Sequence, residues 1–162
     1  MVIIIDTREQ RMFFEKPPKG IVFMRDNLKA GDYSIKGFED KICIERKSPD
    51  DFLTSITSDS KRFKNRLTEM NDYEIKIIVV ECELSRLIEM CTTERLTKKR
   101  LATGRFKPSD NKRMIHPNVV KGSVTSIFTK YCVPIYFAMG RKDAEEFTLS
   151  ILTKYYKLKR SE

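Results

Sequence analysis

The stretch that decides the reading of this chain is Gly31-Asp32-Tyr33-Ser34-Ile35-Lys36-Gly37-Phe38-Glu39-Asp40-Lys41-Ile42-Cys43-Ile44-Glu45-Arg46-Lys47-Ser48-Pro49-Asp50-Asp51. Asp32 to Ile35 reads as a strand leaving a turn at Gly31, and Lys41 to Lys47 reads as a second strand. Gly37-Phe38-Glu39-Asp40 has turn composition, so the two form a hairpin. Side chains alternate along a strand, which puts Glu45 and Lys47 on one face and Arg46 on the other with Ile42 and Ile44. The hairpin brings Asp32 across from Glu45. Two carboxylates at close range repel and raise a pKa unless a cation joins them. A hard divalent ion such as Mg²⁺ or Mn²⁺ resolves that conflict, because it takes carboxylate oxygens and keeps several waters. Such an ion can generate a nucleophilic water and polarise a phosphoryl oxygen, and a lysine beside it can hold a phosphate or orient the water. These residue types therefore point to phosphodiester hydrolysis.

Gly-Asp, a gap, Glu-Arg-Lys, three residues and Asp resemble the signature of the XPF-type nuclease domain, shared with the archaeal Hef nucleases. The family's opening strand ending in Asp-x-Arg-Glu has its counterpart in Val2-Ile3-Ile4-Ile5-Asp6-Thr7-Arg8-Glu9. A third element is looser: Ser60-Lys61-Arg62-Phe63 keeps an arginine and loses the family's glycine, and Asn65 or Arg66 stands where many members have glutamine. The resemblance implies a restriction-endonuclease-like, PD-(D/E)xK nuclease core: an α/β fold with a central mixed sheet flanked by helices. It implies Asp32 and Glu45 as metal ligands, with the Arg46 carbonyl as a third, and Lys47 as the catalytic lysine. It also places Asp6, Arg8 and Glu9 in the site. Arg8 has a competing assignment, an ion pair with Asp6 or Asp51. Arg46 faces away from Lys47 and can hold Asp51 or the sheet. The three-residue gap selects Asp51 over Asp50, and Asp51 also suits the first turn of a helix. Arg62 is a candidate for a phosphate contact, Glu81 for a supporting role, Tyr33 for the core. The lone His116 suits a helix cap better than a general base.

The remaining chain reads as α/β. Residues 2–6 and 21–24 are expected strands, with a short helix near Gln10 and Arg11 between them. Ser48 and Pro49 open a helix. Residues 61–72 form a basic amphipathic helix with Phe63, Leu67 and Met70 inward. Residues 74–81 form a strand buried on both faces. Residues 84–91 are helical, Pro117 opens a helix to about Tyr131, Pro134 to Ala138 is a strand of limited pairing, and residues 141–158 are a last helix. Its apolar residues Phe147, Ile151, Leu152, Tyr155, Tyr156 and Leu158 cover more than one face.

At 162 residues, 40% hydrophobic, the chain has the size and composition of a single nuclease domain with a real core, not of a disordered segment. No apolar run approaches a membrane span and no signal peptide is visible, so an intracellular, non-secreted protein is expected. Met1 leads straight into a strand, as if the chain began with the domain. The four cysteines contain no CxxC pair, and buried free thiols are expected, with Cys43, Cys82 and Cys132 in or beside apolar runs. Net charge is +9 and uneven. Residues 94–115 carry Arg95, Lys98, Lys99, Arg100, Arg105, Lys107, Lys112 and Arg113 against Glu94 and Asp110. This basic insertion, rich in turn formers, is expected to be a mobile loop that orders on DNA. The tandem helix-hairpin-helix module usual in the resembled family has no counterpart in this sequence, so substrate choice is expected from the nuclease domain itself, the basic segment or an accessory protein as partner, unless the chain is part of a longer protein. The expected activity is a metal-dependent endonuclease on branched, flap or fork DNA in repair or recombination, working as a homodimer. A restriction-type or Holliday-junction-resolving nuclease is one alternative, a non-catalytic DNA-binding partner subunit the other.

Overall fold

The computed structural model describes residues 1–91 and 115–161. Its centre is a mixed six-stranded sheet in the order β2-β1-β3-β4-β5-β6, with helices on both faces. The strands are β1 (Val2–Asp6), β2 (Val22–Asp26), β3 (Tyr33–Ile35), β4 (Ile42–Lys47), β5 (Ile75–Val80) and β6 (Ile135–Phe137). Only β3 runs against the others: β1 pairs with β2 in parallel, β3 pairs antiparallel with β1 and β4, and β5 and β6 continue in parallel. The C-terminal ends of β1, β4 and β5 therefore meet the N-terminal end of β3 along one rim. In open α/β sheets that rim is where ligand-binding groups gather.

The β1, β3–β4 hairpin and β5 segments form strands because their side chains suit burial on both faces. Ile3, Ile5, Tyr33, Ile35, Ile42, Ile44, Ile77 and Val79 pack on one face under the last helix, α5 (Arg141–Ser161), and under Phe13 and Phe14. Cys43, Ile78 and Val80 pack on the other, under α1 (Pro49–Ile56), α2 (Ser60–Glu69), α3 (84–91) and α4 (Pro117–Tyr131). Each fully buried Ile or Phe contributes roughly 1.5–3 kcal/mol.

The helix starts follow their caps. The Ser48 hydroxyl accepts the Asp51 N–H and Pro49 occupies the first turn. The His116 Nδ1 accepts the Asn118 N–H at the start of α4, which makes it a cap. Inward Phe63, Leu67 and Met70 hold α2 to the sheet, and the chain tightens to a 3₁₀ turn over Met70–Asp72 rather than continuing as α-helix to residue 72. β5 is buried on both faces only over its last four residues. The α5 stripe is spent largely on the chain's own core: Leu152 and Tyr155 are buried, Phe147, Ile151 and Tyr156 pack against them, and Leu158 is left exposed.

Two expectations are corrected. No helix forms at Gln10 and Arg11; residues 7–21 are turns and bends. The backbone there is tied outward instead: the Arg11 N–H to the Glu9 carboxylate, the Phe13 N–H to the Tyr33 hydroxyl, and the Arg11 and Met12 carbonyls to Arg141. Cys132 is exposed, because it caps α4 in the left-handed region at φ 50°, while Cys43, Cys82 and Cys91 are the buried thiols. The basic residues Lys98, Lys99, Arg100, Arg105, Lys107, Lys112 and Arg113 lie outside the described residues. No described helix is long and apolar enough to cross a membrane.

Candidate active site at the rim of the sheet

Gly31 sets the position of Asp32. Its φ is +76°, a conformation L side chains rarely adopt, and a Cβ there would lie 3.0 Å from the Ile44 carbonyl and 3.1 Å from Cys43 Cβ. Only glycine lets the start of β3 press this closely on β4. Asp32 then bridges three strands. Its N–H donates to the Ile44 carbonyl at 2.8 Å, its carbonyl accepts the Asp6 N–H at 2.9 Å, and its Oδ2 accepts the Arg46 N–H at 2.7 Å. β3 and β4 share a single register pair, Tyr33 with Ile44, so the side chain of Asp32 closes the hairpin where the ladder ends.

Glu45 is enclosed, 1% exposed. Its Oε1 receives Lys47 Nζ at 2.9 Å and Arg66 Nη1 at 2.7 Å. Its Oε2 is buried and has no hydrogen-bond partner among the described residues. Burial, then the neighbouring Glu45 charge, lifts the Asp32 carboxyl well above the usual carboxylate range, against the pull of the Arg46 N–H. Lys47 also lies over the Phe63 ring at 5.5 Å, which fixes its direction.

Arg46 does face away from Glu45 and Lys47. Its Nε donates to Glu81 Oε1 at 2.6 Å and its Nη1 lies 3.4 Å from both Glu9 oxygens. Arg141 Nη1 joins the same Glu81 oxygen at 2.7 Å, and both guanidiniums lie over the Phe13 ring at 5.5 Å. Burial works against the Arg46 charge, but Glu81 and Glu9 outweigh it and keep the group charged. Glu9, Arg46, Glu81 and Arg141 form a network that binds the 7–14 loop to the rim; of its members the sequence pointed to Glu9 and Arg46 as site residues and to Glu81 as support, but not to Arg141.

Arg8 forms an ion pair with Asp6, one of the two partners named as the alternative to a site role, and not with Asp51. Asp6 Oδ1 accepts the Arg8 backbone N–H and Nε, and Oδ2 accepts Arg8 Nη2 and the Leu28 N–H. Burial opposes the Asp6 charge, but these donors hold its carboxyl below the ordinary range. With four bonds its acceptor capacity is used. Asp6 thus anchors the 26–30 turn that delivers Asp32, rather than offering a free ligand, while Arg8 stays 58% exposed beside the rim. Asp51 is exposed and takes the Ser48 hydroxyl at 2.6 Å, a capping arrangement in the first turn of α1. Arg62 is exposed on α2. One turn on, Arg66 is the residue that enters the site; the sequence marked it only as a replacement for the resembled family's glutamine on α2.

Two carboxylates, one with a buried unpaired oxygen, suit a hard divalent cation. A third oxygen is available. The Arg46 N–H turns to Asp32, while the next carbonyl, that of Lys47, accepts the Glu81 N–H on the β5 side. N–H and C=O of one strand residue project to the same side, so the Arg46 carbonyl faces Asp32. Among the described residues no group of three or more His, Cys, Asp or Glu side chains is placed to hold a metal ion.

Comparison with known proteins bears on the fold and the family. XPF from Aeropyrum pernix shares the fold with a TM-score of 0.65 at 18% identity, over 96% of this chain and 65% of that one. The same protein in complex with DNA gives 0.62 at 19%, with the same coverage. A protein of Methanocaldococcus jannaschii whose given name is that of an ATP-dependent RNA helicase is 24% identical over 152 residues, 94% of this chain but 15% of that protein. The chain thus spans less than two thirds of each of these relatives. The mixed six-stranded sheet flanked by helices has the restriction-endonuclease-like α/β fold of that XPF structure. The ERCC4 domain model matches residues 5–151, a span that contains Asp6, Asp32, the Glu45-Arg46-Lys47 run, Arg66 and Arg141, and the chain belongs to the ERCC4 domain family.

Proposed function

We propose that this chain is the nuclease unit of a metal-dependent DNA endonuclease that hydrolyses phosphodiester bonds in branched, flap or fork DNA. The observation that carries the reading is the Asp32–Glu45 carboxylate pair at the rim of the sheet, with Glu45 Oε2 buried and unpartnered and Lys47 held 2.9 Å from Oε1. Asp32, Glu45 and the Arg46 carbonyl would hold Mg²⁺ or Mn²⁺. Bound there, the ion supplies Lewis acidity and a water of lowered pKa.

The protein's own groups do the rest. Lys47, fixed by Glu45 and Phe63, presents its ammonium to a phosphoryl oxygen or the attacking water, where negative charge develops. Arg66 and Arg62 offer cations one turn apart on α2 for backbone phosphates. Arg46 acts through its backbone at the site and through its side chain on the network behind it. Membership of the ERCC4 domain family, and the DNA complex solved for the Aeropyrum pernix relative, support DNA as the partner. The non-catalytic reading loses ground because both carboxylates and the lysine are present and gathered.

The basic residues 94–115 belong to the proposal as a DNA-contacting segment. Neutralising Lys98, Lys99 and Arg100 should flatten the salt dependence of DNA binding by about three counterions, and an unchanged slope would remove them from the interface. A homodimer, a partner that targets the substrate, and a place in repair or recombination are further parts of the reading. Sedimentation tests the first. The shape preference is tested by cleavage of flap, fork, Holliday-junction and linear DNA with Mg²⁺ or Mn²⁺. Cutting confined to branched substrates is expected; equal cutting of linear duplex would favour a restriction-type enzyme.

A further inference from the structure

The two oxygens of Glu45 are in opposite circumstances. Oε1 has two cations, Lys47 Nζ at 2.9 Å and Arg66 Nη1 at 2.7 Å, while Oε2 is buried with no hydrogen-bond partner among the described residues. Lys47 alone would balance the charge of Glu45. The second cation feels the Asp32 charge but makes no hydrogen bond to it; Asp32 Oδ2 accepts the Arg46 backbone N–H. Arg66 also comes from a separate element, α2, whose solvent-facing side carries the exposed Lys61, Arg62 and Lys64. Its side chain is 26% exposed. It therefore stands between a buried carboxylate and an open basic surface. A guanidinium matches carboxylate and phosphate oxygens equally well in geometry.

We propose that Arg66 is a positioning residue that couples the divalent cation to DNA: in the free protein it neutralises Glu45 and weakens cation binding, and with DNA present it turns to a backbone phosphate and frees Glu45. The inference rests on the metal-dependent reading above and deepens it. A positive charge on a ligand oxygen repels an incoming dication, so its departure strengthens that site. By linkage the effect is reciprocal, and cation and DNA bind cooperatively.

The test is Mn²⁺ binding followed by electron paramagnetic resonance for the full chain and for Arg66→Gln and Arg66→Lys, each with and without a phosphorothioate-substituted forked duplex. Steady-state cleavage of the unsubstituted fork is followed in parallel. Without DNA, Arg66→Gln should bind Mn²⁺ about tenfold tighter than the unaltered chain. The gain in Mn²⁺ affinity on adding DNA should shrink to match, and KM for DNA should rise more than kcat falls. Arg66→Lys, which keeps the charge, should restore most of the coupling. Arg66→Gln binding Mn²⁺ no tighter than the unaltered chain, or an equal DNA-induced gain in all three proteins, would overturn the role of Arg66 alone. An unaltered chain that neither binds Mn²⁺ nor cuts DNA would overturn the metal reading and this inference with it.

Discussion

Asp32 Oδ2 accepts the Arg46 backbone N–H at 2.7 Å, while the Arg46 side chain leaves by the opposite face to Glu81 and Glu9. One residue thus serves two structures. Its backbone orients a carboxylate and directs a carbonyl toward it, and its guanidinium fastens the rim from behind. The Glu-Arg-Lys run requires a strand for this: alternation sends its acid and lysine one way and its arginine the other.

That division predicts the phenotype of Arg46→Ala. Glu9 would be left buried without its guanidinium and the half-buried Glu81 would keep only Arg141; breaking a buried pair costs about 3–5 kcal/mol. Urea unfolding should show a loss of that order, while Mn²⁺ binding to the folded fraction falls less than for Asp32→Ala. A stable Arg46→Ala protein with abolished metal binding would place the guanidinium in the site.

Gly31→Ala should be costly at one atom. The new Cβ would face Ile44 O at 3.0 Å, in a backbone conformation at φ +76°. Strain of about 1–2 kcal/mol and a displaced Asp32 are expected, read as a lower Tm and weaker Mn²⁺ binding. Unchanged metal affinity would mean that Asp32 is not set by this turn.

The period-two alternation of β4, the Gly31 turn and the caps at Ser48 and His116 were legible because each rests on neighbours in the chain. What could not be read came from distant residues. Arg141 reaches Glu81 across 60 positions and draws the Arg11 and Met12 carbonyls with it, which is why the expected helix there does not form. Asp6 carried the right signal for the rim but not its task, since the Leu28 N–H that completes its bonds lies 22 residues on. Arg66 was visible as a departure from the family pattern on α2, and its pairing with Glu45 was not.

Asp6 gives a pH dependence. Its carboxyl is held below the ordinary range in the folded state, so the stability it contributes is present above the unfolded pKa and is lost as pH falls through the folded one. Asp6→Asn should therefore be most destabilising near neutrality, with the gap to the unaltered chain closing below about pH 4. A constant gap down to pH 2 would show that the Arg8 and Leu28 bonds do not depend on the charge.

The thiols should separate by exposure. Cys132 is open to solvent, whereas burial pushes the Cys43 thiol up to about 12, the Cys82 thiol up to about 11, and that of Cys91 upward. A thiol reagent at pH 8 should label one cysteine quickly and the other three only on unfolding. Fast labelling of Cys43 would mean that the β4 face opens readily.

The most direct measurement is cleavage of a forked DNA with Mg²⁺ by the unaltered chain, Asp32→Ala and Lys47→Ala, with folding and DNA binding measured on the same samples. Asp32→Ala should abolish cutting and Lys47→Ala should lower kcat by roughly a hundredfold to a thousandfold, with DNA affinity largely kept. Cutting that survives Asp32→Ala in a folded, DNA-binding protein would contradict the assignment of the Asp32–Glu45 pair as the centre of catalysis.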